Sequence, residues 1–266
     1  MKRSELNAVL RESKAFLERM NFHLPTWAHW SPNDWAQAGH EYDEIRNARL
    51  GWDITDFGLG EYERTGLLLF TIRNGNEKDG YYKKTEIKPY CEKILICGEE
   101  QVTPTHFHWK KMEDIICRGG GELVLRLWNA DEDGGKRDLP VTVMVDGHKF
   151  NVRAGEELVL VPGQSITLTA RQYHEFWGRP YPGEDLVLIG EVSKINDDET
   201  DNRFHDDAIG RFPAIEEDEP ALHLLCNEYP EAEGRPKLHG LQTVTGHIPT
   251  RPGALRGWLD MPNSDE

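Results

Sequence analysis

Apolar positions near the start of the chain recur at helical spacing. Leu6, Val9, Leu10, Phe16, Leu17 and Met20 would share one face, which predicts a helix from Ser4 to Met20 with Ser4 as its N-cap. Asn21 to Gly60 has no such period. It contains Pro25, Pro32 and four of the eight tryptophans (Trp27, Trp30, Trp35, Trp52), so it reads as an irregular but packed arm. From Gly66 onward the pattern changes to short apolar or alternating runs. These predict strands at 66–73, 87–97, 101–109, 114–117, 122–128, 141–145, 148–152, 158–161, 165–170, 174–177 and 186–192. Asn74-Gly75 and Asp146-Gly147 read as hairpin turns, and Gly119-Gly120-Gly121 as a further turn. Strands at this spacing, with no helical period between them, predict an antiparallel barrel or sandwich. After Ser193 the chain turns polar and acidic, and its last thirty residues are rich in Gly, Pro and charge, as expected of a surface arm. The expected division is 1–60 for helix and arm, 61–213 for the β-barrel, and 214–266 for a C-terminal extension.

A chain of 266 residues can bury one large β domain with trimmings. Its 47 acidic residues against 31 basic ones give a formal charge of -16, which argues against nucleic acid or an anionic membrane as partner. No run approaches the ~18 apolar residues of a membrane span, and the first residues carry no apolar signal core. Cys91, Cys97, Cys117 and Cys226 are scattered without a CxxC pair. They read as small buried hydrophobes with reduced thiols in a cytoplasmic protein.

The chemistry concentrates at His106-Phe107-His108, followed after four residues by Glu113. Histidines at i and i+2 of a strand share a face, so both imidazoles can meet one ion. Glu113 and the later His174 complete a set of three nitrogens and one oxygen. That set suits a divalent metal such as Zn, Mn, Fe, Co or Ni. Lys110 continues the parity of His106 and His108, and would enter the same cavity if the strand ran on. Glu191 interrupts the apolar run 186–192, a costly place for a carboxylate unless it is paired or functional. Asp198, Asp201, Asn202 and Arg203 follow as a polar set able to hydrogen-bond several hydroxyls. Phe107, Trp109 and Trp177 are candidates for an apolar wall beside this set. His148 reads as a surface residue, and His205, His223 and His239 as tail residues without a task.

The run from His106 through Glu113 to Gly120 resembles the first motif of the cupin superfamily. Gly155 through Pro162-Gly163 to His174 resembles the second. Within that superfamily the chain resembles the cupin-type D-lyxose isomerases. The likeness rests on Met1-Lys-Arg-Ser4, Leu24-Pro-Thr-Trp-Ala28, His106 to Asp114, Gly190-Glu-Val-Ser193 and Asn196-Asp-Asp198. It covers the chain to about Pro213. The resemblance implies a Mn2+-dependent cupin barrel, usually a homodimer. It also implies a small neutral sugar as substrate, with D-lyxose going to D-xylulose and D-mannose to D-fructose. His106, His108, Glu113 and His174 are then the expected metal ligands, Lys110 and Glu191 the acid and base, and Arg203, Asp198 and Trp109 the sugar contacts. A hydride shift in place of proton transfer stays open. So do three other functions for the barrel: an iron dioxygenase, a sugar-phosphate isomerase and a non-catalytic sugar-binding cupin. Scattered Arg171, Arg179 and Arg203 in an acidic chain argue against a phosphate dianion.

Overall fold

The computed structural model describes residues 1–76, 87–209, 215–231, 246–248 and 250–252. Helix α1 (Arg3–Arg19) forms as its apolar spacing requires, but Lys2 rather than Ser4 is its N-cap. The Ser4 N–H and hydroxyl are instead committed to Asp218, at 2.8 and 2.6 Å. The arm is more ordered than its sequence suggests. It holds one-turn segments at Thr26–His29 and His40–Tyr42, helices α2 (Pro32–Gln37) and α3 (Asp43–Asn47), and strand β1 (Gly51–Thr55). Ser31 caps α2 and Pro32 opens it, a pairing that suits a first helical turn.

The remaining strands follow in order. They are β2 (Leu67–Arg73), β3 (Tyr90–Gly98), β4 (Thr103–His108), β5 (Glu113–Gly119), β6 (Gly121–Ala130), β7 (Lys136–Arg137) and β8 (Val141–Val145). Then come β9 (His148–Val152), β10 (Glu157–Leu160), β11 (Ser165–Leu168), β12 (Gln172–Pro180), β13 (Leu186–Lys194) and β14 (Asn202–Phe204). They build an eight-stranded sheet in the order β1-β2-β3-β13-β5-β11-β8-β9. A six-stranded sheet has the path β10-β6-β12-β4-β14, with β7 added on β6 to make the count. Every described ladder is antiparallel. The two sheets enclose a core that includes Leu95, Ile115, Cys117, Leu125, Leu127, Ile166, Phe176 and Ile189. This is the two-sheet antiparallel architecture expected from the strand pattern, and it agrees with the cupin barrel that the resemblance implies.

A second core explains the apolar runs of β2, β3 and β13. Leu6, Leu10, Phe16 and Leu17 of α1 pack on Trp52, Ile54, Leu68, Phe70, Ile94, Ile96 and Leu188, on the outer face of the large sheet. These strands are therefore covered on both sides, and alternation is lost. Asp146-Gly147 makes the expected two-residue hairpin, with both residues at positive φ (48° and 79°) and Val145 paired with His148. Asn74-Gly75 does not close a tight hairpin. Asn74 is buried and exchanges two 3.0 Å hydrogen bonds with the Asn196 backbone, so it ties down the loop after β13. Gly119-Gly121 turns the chain from one sheet to the other rather than within a hairpin.

Residues 215–231 lie against α1 and β1. Arg3 pairs with Glu217 and Glu228, Asn7 donates to Glu219 and Pro220, and the Cys226 N–H donates to the Trp52 carbonyl. Most of the last thirty residues, including His239, lie outside the described residues. Among the described residues, no helix is long and apolar enough to cross a membrane.

Candidate active site

Strand periodicity assembles the histidines. His106 and His108 share a face of β4, and His174 of β12 stands in register opposite His106. Their ligating nitrogens all lie within 4.8 Å of one another, and all three residues are buried. The His106 Nδ1–H donates to the Pro104 carbonyl at 2.8 Å and the His174 Nδ1–H to the Gln172 carbonyl at 3.1 Å. Each bond leaves the Nε2 lone pair free, as a metal ligand requires. Burial first, then His174 and His108, holds His106 well below the ordinary imidazole range. Burial also lowers His174, to about 4. Both are neutral at pH 7.

Glu113 enters from the facing sheet. Its Oε1 lies 3.3 Å from His108 Nε2 and 3.2 Å from His174 Nε2, and this buried oxygen has no hydrogen-bond partner. A carboxylate oxygen facing the lone pair of His174, sealed from water, is a set of acceptors without a donor. A divalent cation resolves that arrangement, and three imidazoles with one carboxylate suit one.

A buried charge network continues from Glu113. Lys111 Nζ lies 2.7 Å from Glu113 Oε2 and 2.8 Å from Glu191 Oε1. Lys93 Nζ lies 3.7 Å from Glu191 Oε2 and 3.9 Å from Asp198 Oδ1. Burial works to raise the Glu113 and Glu191 carboxyls, but Lys111 outweighs it, helped by His108 at Glu113 and Lys93 at Glu191, and both carboxyls are lowered. Burial likewise opposes the charge on Lys111, and Glu113 and Glu191 outweigh it. Glu191 also accepts the Ser193 hydroxyl at 3.0 Å.

The lysine inside this network is Lys111, not Lys110. Strand β4 ends at His108, whose carbonyl accepts the Arg171 N–H at 2.8 Å. The Asp201 carboxylate then takes the Lys110 and Lys111 N–H groups, at 2.8 and 3.0 Å. This turn shifts the parity by one, leaving Lys110 exposed and Lys111 buried. Asp201 is itself buried and shapes the site through the backbone, a role that sequence gave no sign of.

Other expected contacts are rearranged in the same way. Phe107 stands on the face of β4 opposite the histidines, edge-on to Trp109, which is 39% exposed and covered by Arg171. Trp177 stacks with Arg126. None of the three forms a wall at the histidines. Arg203 of β14 pairs with Phe107 of β4 and faces the same outer side, against Gly134. Its neighbour Asn202 pairs with His108 and faces inward, and its buried Oδ1 has no partner. Asp198 stays beside Lys93 with its side chain 58% accessible. His148 and His205 are exposed. His223 is buried, between Lys14 and the Trp30 carbonyl, and belongs to the docked segment rather than to the site.

The chain matches the family model described as D-lyxose isomerase over residues 1–229, beyond the Pro213 limit of the resemblance seen in sequence. It is 48% identical over 230 residues to a D-lyxose/D-mannose isomerase of Serratia proteamaculans, covering 86% of this chain and 98% of the relative. It is 45% identical, with the same coverage, to the D-lyxose/D-mannose isomerase of Escherichia coli O157:H7. A Cellulomonas parahominis L-ribose isomerase solved with L-ribose shares the fold. The TM-score is 0.54 at 16% identity, covering 82% of this chain and 98% of that one. The chain is thus an isomerase and belongs to the D-lyxose isomerase family.

Proposed function

We propose that this protein is a metal-dependent aldose–ketose isomerase of free sugars, interconverting D-lyxose with D-xylulose and D-mannose with D-fructose. The observation that carries this reading is the sealed cluster of three histidines and the orphaned Glu113 Oε1, joined through Lys111 to Glu191. His106, His108, His174 and Glu113 would hold the ion, with manganese as the resident metal. The bound ion would polarise the sugar carbonyl and steady the negative charge that develops on its oxygen.

The protein groups then divide the remaining work. Glu191, ionised beside Lys111 and Lys93, removes the C2 proton and returns it to C1, while the proton of the C2 hydroxyl passes to the former carbonyl oxygen. Lys111 stands where Lys110 was expected as the acid: it holds the carboxylate in place and supplies positive charge to the developing enediolate. The unpartnered Asn202 Oδ1, opposite His108, accepts a sugar hydroxyl, and Asp198 with Lys93 binds hydroxyls farther along the chain. Trp109 and Arg203 lie on the outer face and take no part in this scheme. The reading includes a cytoplasmic homodimer.

The deciding experiment incubates metal-stripped protein with D-lyxose or D-mannose under argon, with and without Mn2+, and assays ketose. Manganese-dependent ketose without oxygen is the expected result. No ketose with any divalent ion would overturn the reading. Product made in D2O separates the two chemistries: deuterium at C1 accompanies proton transfer through Glu191, whereas its absence accompanies a hydride shift.

A further inference from the structure

Strand β1 carries one residue that its surroundings do not explain. Trp52 and Ile54 point outward into the core beneath α1. Alternation therefore turns Asp53 inward, where it is paired with Leu69. The next row of the same face runs Gly51, Thr71, Lys93, Glu191, so Asp53 stands one row from the buried charge network. Leu95 and Ile189, which continue its own row, belong to the apolar core. A half-buried acid beside those apolar neighbours calls for a polar partner.

Asp53 has no ion pair among the described residues, and the Ile54 backbone only partly favours its charged form. Its side chain is half-buried on the edge strand of the large sheet. Burial, then Asp198, pushes the carboxyl up to about 7 against the pull of Lys93 and Arg49, so near neutral pH it can both donate and accept. The edge strand is held from outside. The Cys226 N–H bonds the Trp52 carbonyl at 2.8 Å, and the Tyr229 hydroxyl rests on Gly51, whose φ of 114° and lack of a Cβ permit the contact.

We propose that Asp53 is a substrate-reading residue: it hydrogen-bonds the end of the sugar remote from the carbonyl and sets the preference between five- and six-carbon substrates. The proposal rests on the isomerase reading above. An open-chain sugar with its carbonyl end at the histidines directs its far hydroxyls along Glu191 and Lys93 toward Asp198 and Asp53. D-lyxose and D-mannose share their stereochemistry from C2 to C4 and differ at that far end by one CH2OH unit.

The test measures kinetics on both sugars for wild type, Asp53→Ala and Asp53→Asn, each with metal content and melting temperature. Loss of one hydrogen bond to a charged or buried partner should raise KM ~10-fold in Asp53→Ala with kcat changed less than ~3-fold. The ratio of kcat/KM between the two sugars should shift ~5-fold, with partial recovery in Asp53→Asn. If Asp53→Ala does not fold, the isosteric Asp53→Asn decides by its sugar ratio. An unchanged KM and ratio in folded, metal-loaded variants would overturn the proposal, as would an equal KM rise for both sugars or a loss of metal. Wild-type protein that converts neither sugar would overturn the isomerase reading and this proposal with it. An active wild type with an unaltered Asp53→Ala would overturn this proposal alone.

Discussion

Lys111 is held between two carboxylates at 2.7 and 2.8 Å with 2% of its side chain exposed, whereas Lys110 lies in solvent. The two lysines are therefore a built-in control for each other. Lys110→Ala should keep full activity. Lys111→Met should lose at least ~100-fold in kcat, because it removes positive charge from the reaction and leaves Glu113 and Glu191 without their shared cation. It should also melt lower, since breaking a buried ion pair costs about 3–5 kcal/mol. Steady-state assays on both variants check this, and equal effects would put the wrong lysine in the site. Glu191→Gln asks a narrower question. It preserves shape and the Ser193 contact but cannot take a proton, so metal content should stay at the wild-type level while turnover falls about 10²–10⁴-fold. A fully active Glu191→Gln enzyme would remove that residue from the chemistry.

At the scale of elements, the segment 215–231 acts as a strap across α1 and β1, and His223 is one of its fixings. Its Nδ1–H donates to the Trp30 carbonyl at 2.9 Å, so its Nε2 lone pair accepts from Lys14 at 2.9 Å. A proton on Nε2 would break that bond and set two cations side by side. Burial is the main reason its pKa falls to about 4, with Lys14 and His29 adding to the shift and the Trp30 bond opposing it. An unfolded histidine titrates near ~6.5. Between those values the unfolded chain binds the proton and the folded one does not, so His223 costs no stability above ~6.5 and a growing amount as pH falls toward about 4. Each unit of that gap is worth ~1.4 kcal/mol. Melting temperatures should drop between pH 6.5 and 4 in wild type and drop less in His223→Gln. Parallel curves for the two would show that the strap does not titrate through this residue.

For the molecule as a whole, sequence revealed what depends on short-range periodicity and left hidden what depends on the partner a side chain meets. The strand series, the Asp146-Gly147 hairpin and the shared face of His106 and His108 all follow from local rules. Strand β1 escaped notice because the aromatic arm around it hides a five-residue run, and its pairing with β2 is tertiary. Lys111 escaped because Asp201, ninety residues later, ends β4 and shifts its parity. Arg203 and Asn202 exchanged roles because their facing is set by β14 pairing with β4. The site is thus the meeting point of two sheets: Glu113 and Lys111 lie with the large one, and the histidines with the small one. An ion bound there ties the sheets together, whereas without it neutral imidazoles and the Glu113 oxygen face each other unscreened. Metal binding should consequently stabilise the fold as well as enable turnover. An ion at a hundred times its dissociation constant adds ~2.7 kcal/mol. For a chain of this length that is a rise of several degrees in melting temperature. Wild-type protein stripped by chelator should melt lower and recover on titration with Mn2+. Glu113→Ala should show neither the recovery nor ketose formation, since it removes the only ligand contributed by the large sheet. A melting temperature indifferent to Mn2+ in wild type, with activity still metal-dependent, would show that the two sheets hold the site rigid without the ion.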